Sequence, residues 1–151
     1  MAVNSNSVLS GGVANSIPKT VSTAKTDYTI IASPSDGADL ALVFTADTYG
    51  GFVDAIDYQL TPIGATNSTQ AASIMNIWMT NESGLNARVI KSVAILAMSA
   101  TSTTTPGVYT QTALNFYNIQ AGCKLFVSFT VVSANGNFNV VAWSGQFSKQ
   151  A

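Results

Sequence analysis

Lys124-Leu125-Phe126-Val127-Ser128-Phe129-Thr130-Val131-Val132 decides the fold class. Leu125, Val127, Phe129 and Val131 stand at every second position, the period of a strand that lays one face on a core. β-branched and aromatic residues dominate the stretch. Turn residues bound it on both sides, Gln120-Ala121-Gly122 before and the Asn/Gly-rich residues 133–137 after.

The same grammar runs outward from there. Residues 138–147 form the next predicted strand, carrying Val140, Val141, Ala142 and Trp143. Before the deciding stretch, strands are predicted at 109–119, 88–98, 73–80, 52–60, 40–45 and 28–32, separated by Gly, Pro, Ser and Asn clusters. In 73–80, Ile74 and Trp78 fall on one face, and Met75, Ile77 and Met79 on the other. In 52–60, alternation turns Val53, Ala55 and Asp57 one way and Asp54, Ile56 and Tyr58 the other. No stretch holds a capped helical repeat. Residues 27–151 therefore read as an all-β domain, an eight-stranded antiparallel sandwich of the jelly-roll or Greek-key kind. An up-and-down barrel is the competing architecture.

Residues 1–26 read differently. They are rich in Ser, Asn, Gly and Thr, and Gly11-Gly12 and Pro18 break any regular element. They carry no charge before Lys19, so a neighbour can cover them without stranding an ion. The expectation is an extended N-terminal arm that leaves the sandwich and lies along another chain. Val3, Val8, Leu9, Val13 and Ile17 are its candidate partner contacts.

Composition points the same way. Charged residues make up 9% of the 151 residues, with a net charge of −1, against about 25% charged in ordinary domains. Ser, Thr and Asn fill the gap at about 30%. Uncharged polar groups are cheaper to desolvate than ions, so such a surface suits extensive subunit contact. Without a basic patch, direct binding to nucleic acid is not expected. Mean hydropathy is +0.29, yet the apolar run 93–98 is far short of the ~20 residues a spanning helix needs. The opening Met-Ala-Val-Asn-Ser-Asn has no signal-peptide pattern, so synthesis in the cytoplasm and no membrane association are expected.

Catalytic chemistry finds little support. The chain has no His, which removes the usual general base and metal ligand. Its single Cys123 reads as a small buried side chain. Asp54 and Asp57, three apart on a strand, are expected on opposite faces. Asp36 and Asp39 read as turn residues rather than a calcium loop. The expectation is a non-enzymatic protein without metal or cofactor.

Several segments carry a resemblance. They are Leu9-Ser10-Gly11-Gly12, Leu42-Val43-Phe44-Thr45-Ala46, Gly50-Gly51, Val53-Asp54-Ala55-Ile56 and Asn76-Ile77-Trp78-Met79-Thr80-Asn81, then Ala121-Gly122-Cys123-Lys124-Leu125-Phe126-Val127 and residues 138–147. In this order they resemble small structural proteins encoded by tailed bacteriophages, loosely over residues 28–147. Cys123 stands where that group usually has an aromatic, and Gln146 where it usually has an acid. The resemblance implies a virion protein. The expected role is a capsid cement or decoration protein at the capsid surface, whose partners are the major capsid protein and copies of itself in a homotrimer. The alternative is a tail-fibre or spike module that binds a host receptor or glycan. A secreted or stalk domain with a carbohydrate site is a third reading, disfavoured by the missing signal peptide.

Overall fold

Alternating apolar residues drive the chain into strands that bury one face. The computed structural model describes residues 18–101 and 110–148, together with the backbone of residues 8–10 and 109. The described residues form eleven strands and no helix. These are β1 (Val8–Ser10), β2 (Lys19–Val21), β3 (Ala41–Thr45), β4 (Gly51–Pro62), β5 (Ser68–Gln70), β6 (Ser73–Met79), β7 (Arg88–Ile95), β8 (Met98–Ala100), β9 (Tyr109–Ile119), β10 (Lys124–Phe129) and β11 (Gly136–Ser148). With no helix described, none is long and apolar enough to cross a membrane.

All strand pairings are antiparallel. One sheet runs β1-β11-β4-β9, with β2 also on β11, and the second runs β3-β10-β6-β7. β5 and β8 form a small ribbon of their own. Between the two large sheets lies one core, in which Ile77, Val127 and Phe129 meet Ile56, Tyr58, Phe138 and Val140. Phe129 and Phe138 stack across it with centroids 4.0 Å apart. Tyr58 stands beside the stack, its ring steeply inclined to both, at 66° and 75°. The all-β, sandwich-like expectation holds at this level.

Three expectations need correction. Residues 28–32 are not a strand: they make a single bridge, Ile31 to Ala87. They belong to a covering segment that crosses the outside of the second sheet. There Ile31, Leu40 and Leu42 close a second apolar cluster over Trp78, Phe126 and Ala87. Lys25 adds its ammonium 5.6 Å from the Trp78 ring. An extended cover and a strand share the same backbone reach and apolar content, so local pattern does not separate them.

The second correction concerns the arm. Its described parts do not leave the sandwich. Val8–Ser10 pairs with residues 146–148 of β11, and Lys19–Val21 pairs with residues 138–140. Val21 is fully buried in the main core. β2 thus occupies part of an edge of β11.

A third difference lies in β4. Its register shifts between Val53 and Ala55 against β9, and β11 shifts opposite it between Trp143 and Ser144. A bulge resets the alternation. Val53 enters the main core together with Ile56, Tyr58 and Leu60. Asp54 and Asp57, their neighbours, therefore both turn away from the core rather than facing opposite sides. Asp54 accepts a hydrogen bond from Tyr117 on β9, and Asp57 accepts one from the indole of Trp143 on β11.

Candidate ligand cleft at one end of the sandwich

Of the predicted partner contacts, Val8 and Leu9 lie on β1, opposite Ser148 and Phe147 of the same chain. Val3, Val13 and Ile17 lie outside the described residues. The structure does not bring this set together as one surface. A different place in the molecule has the geometry of a site.

That place is the end of the sandwich where the β6–β7 and β9–β10 turns meet. In the first turn, the Asn81 side-chain oxygen accepts hydrogen bonds from the Ser83 and Leu85 amides, both at 3.0 Å. In the second, Gly122 has a φ of +82°, and its amide donates to the Ala46 carbonyl at 3.0 Å. A Cβ on Gly122 would stand 2.0 Å from the Glu82 carbonyl oxygen. Only glycine allows this approach, which locks the two turns against each other. Thr80 completes the lock: its hydroxyl accepts from the Lys124 amide at 2.8 Å, and its own amide donates to the Lys124 carbonyl at 3.0 Å.

Arg88 begins β7 directly opposite Met79, which in turn sits opposite Leu125. Cross-strand partners share a face. Met79 packs against the main core, so Arg88 projects from the inner face, at the open end between the sheets. It borders a cavity of about 540 Å3 whose floor is Met79, Ile119 and Cys123 and whose rim includes Glu82, Asn118 and Gln120. A second hollow of about 220 Å3, with Ile30 and Asn86, shares Met79, Thr80, Asn81 and Arg88 with the first. The ion pairs among the described residues are Lys19–Asp36 and Lys25–Asp27, so Arg88 has no ionic partner there.

The chemistry available in this cleft is recognition. Burial pushes the Cys123 thiol up, and the charge of Glu82 pushes it further. It stays protonated at neutral pH and is a poor nucleophile. Glu82 is the cleft's one carboxylate. Arg88 offers a planar fork of donors suited to a carboxylate or phosphate.

The outer face of the first sheet is knit to itself. Thr20 donates to Asn139 at 3.0 Å, and Asn139 donates to Thr61 at 3.0 Å. With Trp143 on Asp57, this makes a polar network that holds β2, β11 and β4 in register. Asp36 accepts from the Leu42 amide at 2.8 Å and from Lys19 at 2.6 Å, which ties β2 to the start of β3.

Sequence reasoning passed over Arg88. The available signal was that it is the chain's single arginine, placed at the start of a strand after a tight Asn-Glu-Ser-Gly turn. No protein-family model matches the chain, and no curated protein or solved structure matches it either.

Proposed function

We propose that this chain is a virion structural protein. In this reading it is a capsid cement or decoration protein at the capsid surface, bound across copies of the major capsid protein and to copies of itself as a homotrimer. The observation that carries the reading is how most of the few charges among the described residues, Arg88 apart, are engaged within the chain. Lys19 and Lys25 pair with Asp36 and Asp27. Lys91 donates to the Ala113 carbonyl, and Asp54 and Asp57 accept from Tyr117 and Trp143. The surface left over mixes Ser, Thr and Asn with apolar side chains such as Ile30, Leu96 and Tyr117, and a neighbouring subunit can cover both at lower desolvation cost than ions. Many weak contacts of that kind, repeated over a shell, hold firmly through multivalency.

The strand order supports the same reading. With β1 and β2 taken as one and the β5–β8 ribbon set aside, eight strands remain. The first pairs with the last, the second with the seventh, the third with the sixth and the fourth with the fifth. This is a long antiparallel ribbon rolled up once, and we read the fold as an eight-stranded jelly roll, an architecture frequent in viral capsid and lectin domains. Fold alone does not assign function, so the assignment rests on the surface. Self-association has support from β9, which pairs only with β4 among the described residues and carries no charge along its length. Such an edge offers backbone groups to another chain.

The test is to locate and remove the chain in purified particles. A cement protein is present in many copies over the shell, and particles lacking it rupture at lower temperature until it is added back. Density confined to the tail, or unchanged shell stability on removal, sinks the reading. The alternative, a tail-fibre or spike module that binds a host receptor or glycan, draws its support from the cleft beside Arg88.

A further inference from the structure

We propose that the cleft between the β6–β7 and β9–β10 turns is a binding site for an acidic saccharide, a sugar carrying one carboxylate. The site is independent of where in a particle the chain sits. Three features of the cleft define this ligand class.

The first is the unpaired cation. Among the described residues Arg88 has no ionic partner, and it stands on the inner face at the open end of the sandwich, opposite Met79. Its guanidinium can take a carboxylate with two parallel hydrogen bonds. The second is the mixture around it. Asn118 and Gln120 supply amide donors and acceptors, while Met79, Ile119 and Cys123 give an apolar floor for a ring face or an acetyl methyl. Small-molecule sites combine an apolar lining with a few placed polar groups in this way, in volumes of about 300–1,000 Å3. The main lobe, at about 540 Å3, has room for one or two sugar rings.

The third feature is Glu82 on the same rim. It offsets the positive charge of Arg88 and repels a phosphate dianion more than a single carboxylate. Its oxygens accept hydrogen bonds from hydroxyls, which a sugar has and a simple anion lacks. The lock between the turns, Gly122 against the Glu82 carbonyl, fixes the rim before any ligand arrives. A rim already in place reduces the ordering cost of binding.

The experiment is titration calorimetry on the full chain with four probes: N-acetylneuraminic acid, its methyl ester, a glucuronic acid disaccharide and inorganic phosphate. The expected result is binding of one or both acids, with the ester and phosphate weaker by about tenfold or more, the loss that follows from one charged hydrogen-bond pair. Arg88→Gln should remove the preference for the acid, and Arg88→Lys should restore only part of it. Thermal melts of both variants, expected to match the parent, separate a lost ligand contact from a damaged fold. No binding of either acid at millimolar concentration overturns the proposal. So does equal binding of acid and ester, or an Arg88→Gln variant that binds the acid unchanged. Phosphate binding as tight as the acids reassigns the site to a simple anion and also overturns it.

Discussion

The indole N–H of Trp78 on β6 donates to Ser128 Oγ on β10 at 2.8 Å, a diagonal pair two residues along β10 from Phe126, the register partner of Trp78. Both residues are fully buried on the side of the second sheet that faces away from the main core. Buried indoles need a partner for that donor. The covering segment makes the burial possible, and Ser128 makes it tolerable.

Ser128→Ala should therefore cost about 1–3 kcal/mol in urea unfolding, the penalty of an orphaned buried donor. Adding Trp78→Phe to Ser128→Ala removes the orphan, so the double variant should lose less than the sum of the two single losses. Strict additivity would show that the bond contributes nothing.

Gly122→Ala should be far more damaging than Gly64→Ala. Both glycines have positive φ, +82° and +62°. A Cβ at Gly64 meets nothing within 4 Å, whereas at Gly122 it meets the Glu82 carbonyl at 2.0 Å. Gly64→Ala should cost about 1–2 kcal/mol for the left-handed conformation alone. Gly122→Ala must also push the two turns apart, and its melting temperature should fall well below that of Gly64→Ala. Equal melting temperatures would refute the lock.

Phe138→Ala should destabilise by about 3–5 kcal/mol, measured by chemical denaturation. The ring stacks on Phe129 from the facing sheet and makes a T-shaped pair with Tyr58. Its loss opens a hole where the two sheets meet.

Asp36 gives a pH signature. Burial raises its carboxyl, but the hydrogen bonds from Lys19 and the Leu42 amide outweigh this and hold the pKa below the ordinary 3.8. A carboxyl depressed in the folded state adds stability above its unfolded pKa and loses it as pH falls through the folded value. Asp36→Asn keeps an oxygen for the Leu42 amide and removes the ion pair. It should cost less than about 1 kcal/mol at pH 7, because the pair is partly exposed. In melts across a pH series the deficit should fade as pH falls below about 4.

Deleting residues 1–21 should lower the stability of the domain itself. It removes β1, β2 and the Lys19 partner of Asp36. Burial of Val21 alone is worth about 1.5–3 kcal/mol. A truncated chain that melts like the parent would mean that these strands contribute only outside the domain.

The sequence by itself determined the class of the fold. Period-two alternation in residues 124–132 and 138–147, with glycine and asparagine turns between, leaves no other way to bury Leu125, Val127, Phe138 and Val140 together. It also placed Trp78 and Met75 on opposite faces of one strand, because that depends only on the alternation of neighbouring residues. Tertiary structure decided what local pattern cannot carry. Residues 28–32 make one bridge, to Ala87, and residues 19–21 join β11; which of the two covers a sheet and which extends one is set by partners far along the chain. Asp54 and Asp57 came to one side because a bulge in β4 added a residue to the count, and a bulge is set by the register of two partner strands. Arg88 became a site residue because the turns at 81–84 and 120–123 meet beside it. Their contact, Gly122 on the Glu82 carbonyl, joins residues forty positions apart, and no local pattern encodes it.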